Sequence, residues 1–342
     1  MNSRERVLAA VSGVEPDRLP YFCGRVDDQE YWLESFGAES EVELRKFWGL
    51  DLQKNTYSNA FHTQEGKTLW GCEDFYDAGY SSAKIPPLGA AESLTEIESH
   101  AWPTMDHVDF EELSREIAGL EDDHAKIGTI GFQAPICILF DLFGMEQTML
   151  LMHLEPRFIE ASLERIEWFI AESIDRVLKK DAKTLDFFWW GDDFSTQRGM
   201  MISPEMWRKF LKPAYLRVFE LIKSYDLMVW FHSCGSFAPV LGELVDGGMD
   251  VWETVQAHLV DNDPAELKRN YGDHLTFFGA INCQQTLPFG SPDDVRKEVR
   301  ERFKVLGKGG GYIAGPDHSV QQNIPWQNVE ALFDEASKCS YG

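Results

Sequence analysis

The sequence predicts an α/β protein with a (β/α)8 TIM-barrel fold. Seven apolar runs end in polar or glycine-containing turns, and amphipathic helical patterns separate them. In the second half of the chain the runs recur roughly every 25 to 45 residues, which is typical of βαβ units in a parallel sheet. The 342 residues suffice for a barrel of this kind. An open doubly wound sheet is the alternative, but no G-x-G-x-x-G follows an early strand.

The predicted strands are runs rich in β-branched and aromatic residues, such as "TLDFFWWGDD" and "LMVWFHSCG". Each run ends where a turn and then a helical pattern begin. The seven runs are 19–25, 125–131, 184–193, 227–235, 250–256, 275–282 and 310–317. An eighth strand is expected, but the sequence marks it poorly.

The predicted helices carry recognisable start signals. The segment 155–181 places apolar residues on one face at helical spacing. Ser203 and Ser291 are predicted N-caps, and each is followed by a proline at the first helical position. The helix that begins after Ser291 is expected to stop at Gly307.

The region from about 50 to 110 does not follow this alternation. Residues 66–89, "GKTLWGCEDFYDAGYSSAKIPPLG", predict a hairpin or loop excursion over one end of the barrel. No linker divides the chain, so we expect residues 1–342 to form a single barrel domain.

Composition and charge exclude several classes of partner. The formal net charge of −25 repels nucleic-acid phosphates and anionic lipid. The sequence contains no apolar run of about 18 residues, and its start lacks the apolar core of a secretory signal. Six scattered cysteines do not form a disulfide framework in a chain of this length. We therefore expect a cytoplasmic protein that binds neither nucleic acid nor a membrane.

The stretch "WFHSCGSF" contains the most informative motif, His232-x-Cys234. Alternate residues of a strand face the same side, so both side chains can point to one place. Imidazole nitrogen and thiolate sulfur are preferred Zn²⁺ ligands, and a catalytic zinc needs three protein ligands. An isolated H-x-C pair is more often two core residues. The third ligand would come from another strand end, from His318, Cys283 or Glu253.

Other polar residues also follow predicted strands and would meet at the carboxyl-terminal end of the barrel. Asp192 and Asp193 are adjacent, so only one of them should point into the pocket, where it could orient a ligand or accept a proton. A capping and solvating pair is the alternative interpretation. The candidate substrate contacts are Arg25, Gln256, Asn282 and Gln285.

Several stretches resemble the uroporphyrinogen decarboxylase superfamily, and specifically its branch of zinc- and corrinoid-linked methyltransferases. The matching stretches lie within 191–215, 231–256, 271–299 and 309–332, with a looser match at 3–20. The resemblance implies a (β/α)8 barrel. It also implies zinc ligands at His232 and Cys234, and a third at the position of His318, where the branch has a cysteine.

The same resemblance indicates which of two activities, decarboxylation or methyl transfer, this chain is expected to have. Uroporphyrinogen decarboxylases carry an R-Q-A-G-R segment that binds substrate carboxylates, whereas this chain has "YFCGR" with Arg25 alone. The expected function is therefore methyl transfer between a small molecule, a thiol or a methoxylated compound, and a corrinoid protein, with Zn²⁺ as Lewis acid. A metal-free decarboxylase and a non-catalytic ligand-binding barrel are the alternatives. The superfamily resemblance also leads us to expect a homodimer.

Overall fold

A curled sheet of parallel strands forms the centre of the computed structural model, which describes residues 1–27, 29–39, 41–57, 59–63, 66–73, 76–77, 80–81 and 85–342. Its seven strands lie side by side in chain order. They are β1 (Leu52–Lys54), β4 (Ala125–Thr129), β5 (Phe187–Gly191), β8 (Met228–His232), β9 (Met249–Val255), β10 (Thr276–Ile281) and β11 (Tyr312–Pro316). The structure is α/β and TIM-barrel-like, as predicted.

Helices follow the strands and cover the outside of the sheet. They are α1 (Ser3–Val11), α2 (Gln29–Phe36), α3 (Glu41–Trp48), α4 (Leu94–Ser99), α5 (Phe110–Ala118), α6 (Pro135–Phe143), α7 (Met145–Leu154), α8 (Pro156–Asp181), α9 (Pro204–Phe210), α10 (Lys212–Lys223), α11 (Ala238–Asp246), α12 (Pro264–Tyr271), α13 (Thr286–Phe289), α14 (Pro292–Arg302) and α15 (Trp326–Lys338). Strands β5 and β10 are buried along their whole length, because helices on the outer face and side chains inside the sheet exclude water from both sides.

The first predicted strand, 19–25, is wrong as a regular strand. Pro20 has no amide hydrogen to donate to a ladder, and this segment makes only isolated bridges. The Phe22 N–H donates to the Ala314 carbonyl in β11 at 2.9 Å, and the Asp51 N–H donates to the Tyr21 carbonyl at 3.1 Å. The segment thus lies between β11 and the start of β1, and an eight-stranded barrel is not confirmed.

Strand β1 lies in the region that the sequence pattern left irregular. It has three residues and pairs in parallel with β4, Leu52 opposite Ala125 and Lys54 opposite Ile127. Three residues are too few for a period-two pattern to stand out. In the predicted excursion, β2 (Tyr76–Asp77) pairs antiparallel with β3 (Tyr80–Ser81), while residues 74–75, 78–79 and 82–84 lie outside the described residues.

The predicted helix starts are confirmed. Ser203 Oγ accepts from the Met206 N–H at 3.2 Å, and Ser291 forms a capping box with Asp294. The segment after Ser203 is two helices, because Pro213 lacks the N–H that would continue the ladder, and the break falls at Leu211. After α14 the chain makes a π-helical turn that ends at Gly307, the predicted stop.

Among the described residues, no single helix has both the length and the apolar composition that a membrane crossing requires. The pair α6 and α7, bent by 100°, meets that test of length and composition together.

A buried carboxylate attaches the N-terminal segment to the start of the sheet. Asp51, fully buried, accepts hydrogen bonds from Arg6 Nη1 at 2.7 Å and from Arg18 Nη1 and Nη2 at 2.8 and 2.9 Å. It also accepts from the Tyr21 N–H at 3.1 Å. Four donors thus satisfy this carboxylate, so that its burial does not leave an unpaired charge.

We expect Asp51→Ala to lower the free energy of unfolding by about 3 kcal/mol, because two guanidinium groups would lose their shared partner. Urea denaturation measures the change. Glu164→Ala, on an exposed position of α8, is the control and should change stability by less than about 0.5 kcal/mol. Equal stability of the two variants would show that this carboxylate does not anchor the N-terminal segment.

Candidate metal centre

The candidate metal ligands lie at the carboxyl-terminal ends of β8 and β11. His232 is the last residue of β8, and Cys234 and His318 follow β8 and β11 within two residues. The end of β5 packs closely against His232: a Cβ on Gly191 would lie 2.5 Å from the His232 carbonyl oxygen. Glycine at position 191 therefore allows the two strand ends to approach.

One ligand atom from each of His232, Cys234 and His318 lies within 4.8 Å of the others. Cys234 Sγ is 3.6 Å from His232 Nε2, and the two imidazole ring centroids are 6.1 Å apart. His232 is buried, Cys234 is half-buried and His318 is exposed. The group thus faces the open end of the sheet, where a small molecule can reach it. Of the three candidates for the third ligand, the structure brings His318 into this group.

Glu253 lies behind His232 and not among the ligand atoms. His232 Nδ1 donates to Glu253 Oε1 at 3.2 Å, which leaves Nε2 directed toward Cys234. Glu253 Oε2 accepts from Trp189 Nε1 at 3.1 Å and also from Trp230 Nε1. This carboxylate therefore fixes the orientation and the tautomer of the imidazole, as a carboxylate behind a metal-bound histidine does.

The electrostatics of the group favour a thiolate. Burial and the Asp193 carboxylate act to raise the pKa of Cys234, but hydrogen bonds with His232 and His318 outweigh them and leave it below its ordinary value. Burial lowers the pKa of His232, yet Cys234, Glu253 and Asp193 raise it well above the ordinary value. The site thus concentrates negative charge around one position, which suits a cation.

A short antiparallel pair, β6 (Ser195–Thr196) with β7 (Gly199–Met200), holds the loop that carries Cys234. Gly235 has φ +84°, and a Cβ there would lie 2.4 Å from the Thr196 carbonyl oxygen, so this contact requires glycine. The Asp193 carboxylate accepts from the Cys234 N–H at 2.8 Å, and Gln256 Oε1 accepts from the Gly235 N–H at 2.8 Å. The thiol position is therefore fixed from several sides.

The two adjacent aspartates face different surroundings. Asp193 Oδ1 lies 3.7 Å from His232 Nε2 and so borders the ligand group. Asp192 is fully buried and accepts from the Tyr215 hydroxyl at 2.6 Å and from the Ile136 N–H at 2.9 Å, near the start of α6. Burial raises the pKa of Asp192 to about 7. Its observed contacts belong to the packing of α6 and α10.

The structure places the remaining predicted residues at the same end of the sheet but gives them other contacts. Gln256 is buried, and its side-chain oxygen accepts the hydrogen bond from the Gly235 N–H. Asn282 Oδ1 accepts from the Gln284 and Gln285 N–H groups at 2.8 and 3.0 Å. Gln285 is exposed, and Arg25, 62 % exposed, pairs with Asp27 at 2.7 Å. Cys283 Sγ donates to the His318 carbonyl at 3.5 Å, so Cys283 supports the backbone beside the third ligand.

Sequence reasoning missed two residues that line the site. Phe132 packs its ring 5.7 Å from the His232 ring centroid and 6.2 Å from that of Trp189. Lys54, at the end of β1, holds its ammonium 4.8 Å from the centroid of the Trp189 ring. Neither residue belongs to a sequence motif. Lys54 could have been predicted only if the three-residue strand β1, which it ends, had been recognised in the sequence.

The residues fit a Zn²⁺ ion. Two imidazole nitrogens and one sulfur are a donor set that zinc prefers, and three protein ligands leave a fourth position for a substrate atom. A metal-bound histidine usually donates its second ring N–H to a carboxylate, and Glu253 supplies that acceptor for Nδ1 of His232.

The chain is similar to proteins of known structure. It resembles a methyltransferase from Methanosarcina mazei, with a TM-score of 0.72 over 99 % of each chain and 18 % sequence identity. Xylanase B from Clostridium stercorarium F9 aligns with a TM-score of 0.43 and 11 % identity, over 68 % of this chain and 85 % of the xylanase. At 18 % identity the similarity to the methyltransferase shows a shared fold and nothing more. The TM-score of the xylanase is too low to support any inference.

The sequence comparisons give a family. No curated protein matches this sequence significantly. The family profile described as uroporphyrinogen decarboxylase (URO-D) matches residues 91–339, which confirms the superfamily that the sequence motifs indicate. Because this match spans well over half of the 342 residues, the chain belongs to the uroporphyrinogen decarboxylase family.

Proposed function

We propose that the protein is a zinc-dependent methyltransferase of corrinoid-linked one-carbon metabolism. It would move a methyl group between a small substrate, a thiol or a methoxylated compound, and a corrinoid protein. The observation that carries the proposal is the meeting of His232, Cys234 and His318 within 4.8 Å at the open end of the sheet. The fold shared with a methyltransferase supports it.

His232, Cys234 and His318 would hold the zinc, which supplies Lewis-acid activation of a thiol or of an ether oxygen. Glu253 keeps the proton of the His232 imidazole on Nδ1. Asp193 holds the Cys234 backbone and lies close enough to the ligand group to accept a proton from a substrate. Phe132 and Trp189 cover one side of His232 and exclude water there.

The third position distinguishes this chain from the branch that it resembles. With histidine in place of cysteine, the group contains one thiolate and two neutral imidazoles, and the charge of a bound divalent ion is only half neutralised. Such a centre is a stronger Lewis acid than one with two thiolates. It favours an anionic thiolate or a polarisable ether oxygen at the fourth position.

We expect the purified protein to contain about one zinc ion per chain, and Cys234→Ala to contain almost none. The physical reason is that two imidazoles alone cannot complete a stable tetrahedral site. Elemental analysis after dialysis measures the content. Cys283→Ala is the matched control, since Cys283 lies at the same end of the sheet and bonds to the His318 carbonyl. A fully metalated Cys234→Ala protein would contradict the ligand assignment, as would loss of zinc from a Cys283→Ala protein whose melting temperature is unchanged.

We expect Glu253→Gln to weaken zinc binding by about 10- to 100-fold, because the imidazole loses the carboxylate that orients it. Competition with a chromophoric chelator measures the affinity. Glu164→Gln, exposed on α8, should leave the affinity unchanged. The melting temperature of the metal-free variant separates this effect from a loss of folding, and unaltered affinity in folded Glu253→Gln would show that this contact does not tune the site.

Demethylation of methylcobalamin in the presence of a thiol, followed by absorbance under anaerobic conditions, tests the activity directly. We expect zinc-loaded protein to accelerate it, and chelation or Cys234→Ala to reduce the rate by about 100-fold or more. The reverse reaction, with a methoxylated donor and cob(I)alamin, tests the other substrate class. If neither reaction is accelerated while metal-free protein decarboxylates an organic acid, the metal-free decarboxylase alternative replaces this proposal.

A further inference from the structure

A lysine lies beside the candidate metal centre and makes no salt bridge with any residue that the structure describes. Lys54 ends β1, and its ammonium lies 4.8 Å from the centroid of the Trp189 ring. Among the described residues no carboxylate forms a salt bridge or a hydrogen bond with it, although the Glu253 carboxylate is close enough to attract its charge. The face of the Trp189 ring stabilises part of the ammonium charge, but the three N–H donors of the ammonium still require acceptors.

Trp189 connects this ammonium to the ligand group. Its ring centroid is 5.6 Å from that of His232, and its Nε1 donates to Glu253. Lys54 and His232 therefore both contact the Trp189 indole. Phe132 packs against both Trp189 and His232 and is 38 % exposed, so it presents an apolar surface at the opening.

Two further cations influence Lys54. Burial lowers the pKa of Lys54, the Arg45 and Arg25 guanidinium groups act in the same direction, and Glu253 opposes them. Arg25 follows the segment that lies beside β1, and its side chain is 62 % exposed. Three basic side chains thus act on this side of the opening, although Asp27 pairs with Arg25 and the Glu253 carboxylate attracts Lys54. An anion drawn there would meet, at Lys54, an ammonium that makes no salt bridge with a described residue.

We propose that Lys54 binds the carboxylate of a small organic acid whose other end reaches His232, Cys234 and His318. The arrangement matches a molecule with an anionic end, a flat or apolar middle that packs on Trp189 and Phe132, and a thiol or ether at the far end. Lys54 is then a residue that determines specificity, and the substrate is an acid. The position of the reacting end rests on the proposed function, whereas the preference for an anion is independent of it.

Isothermal titration calorimetry with matched pairs of probes tests the inference. The pairs are 3-mercaptopropionate with 3-mercaptopropan-1-ol, and 4-methoxybenzoate with 4-methoxybenzyl alcohol; each pair differs by a carboxylate in place of a neutral group. We expect at least one acid to bind about tenfold or more tightly than its neutral partner. Lys54→Gln should abolish that ratio, and Lys54→Arg should retain part of it. Lys308→Gln, at an exposed position before β11, should leave it unchanged.

Zinc content measured in the same samples separates the two proposals. Lys54→Gln should keep the zinc content of the unaltered protein, because Lys54 is not among the ligand atoms. If the protein holds zinc and yet binds acids and neutral partners equally, or if folded Lys54→Gln keeps the ratio, this inference is overturned and the metal centre stands. A preserved preference for acids in a protein that binds no zinc would overturn the proposed function and leave the role of Lys54 intact.

Discussion

The candidate site depends on the Glu253 carboxylate. Buried inside the sheet, it accepts hydrogen bonds from the Trp189 and Trp230 indoles and from His232 Nδ1. An unpaired carboxylate at this depth would cost several kcal/mol, so the three donors and the carboxylate require one another. The two indoles belong to β5 and β8. This one group therefore joins the packing of the sheet to the orientation of the imidazole.

The same organisation explains why the thiol position is fixed although Cys234 lies in a loop. The Ser195 hydroxyl donates to the Cys234 carbonyl, while Asp193 and Gln256 accept from the Cys234 and Gly235 N–H groups. A rigid loop loses little conformational entropy when a ligand binds, and it keeps the sulfur close to the imidazole nitrogens. Asp193 thus acts through the backbone of Cys234 and Gln256 through that of Gly235, and Asp193 also lies at the edge of the ligand group.

Charge is distributed unevenly over the molecule. The net charge of −25 keeps other polyanions away from the surface, while Lys54 and Arg25 lie beside the opening of the sheet. Lys54 makes no salt bridge with a described residue, so under our proposal its ammonium would bind a small anion that the rest of the surface repels. Selectivity for a small acid over a large polyanion would follow from this contrast.

The sequence by itself determined the α/β alternation, six of the seven sheet strands, the capped helices and the H-x-C pair, because each has a local signal of period, cap or motif. It could not determine how the sheet begins: Pro20 prevents a regular strand at 19–25, and three-residue β1 has no detectable period. Strand-end positions alone left His318, Cys283 and Glu253 open as third ligands, and the family resemblance favoured His318. Only the tertiary structure gave their distances: β11 carries His318 to within 4.8 Å of the other ligands, while β9 places Glu253 behind His232. Distances between strand ends depend on how the whole sheet curls, and no local pattern encodes that curvature.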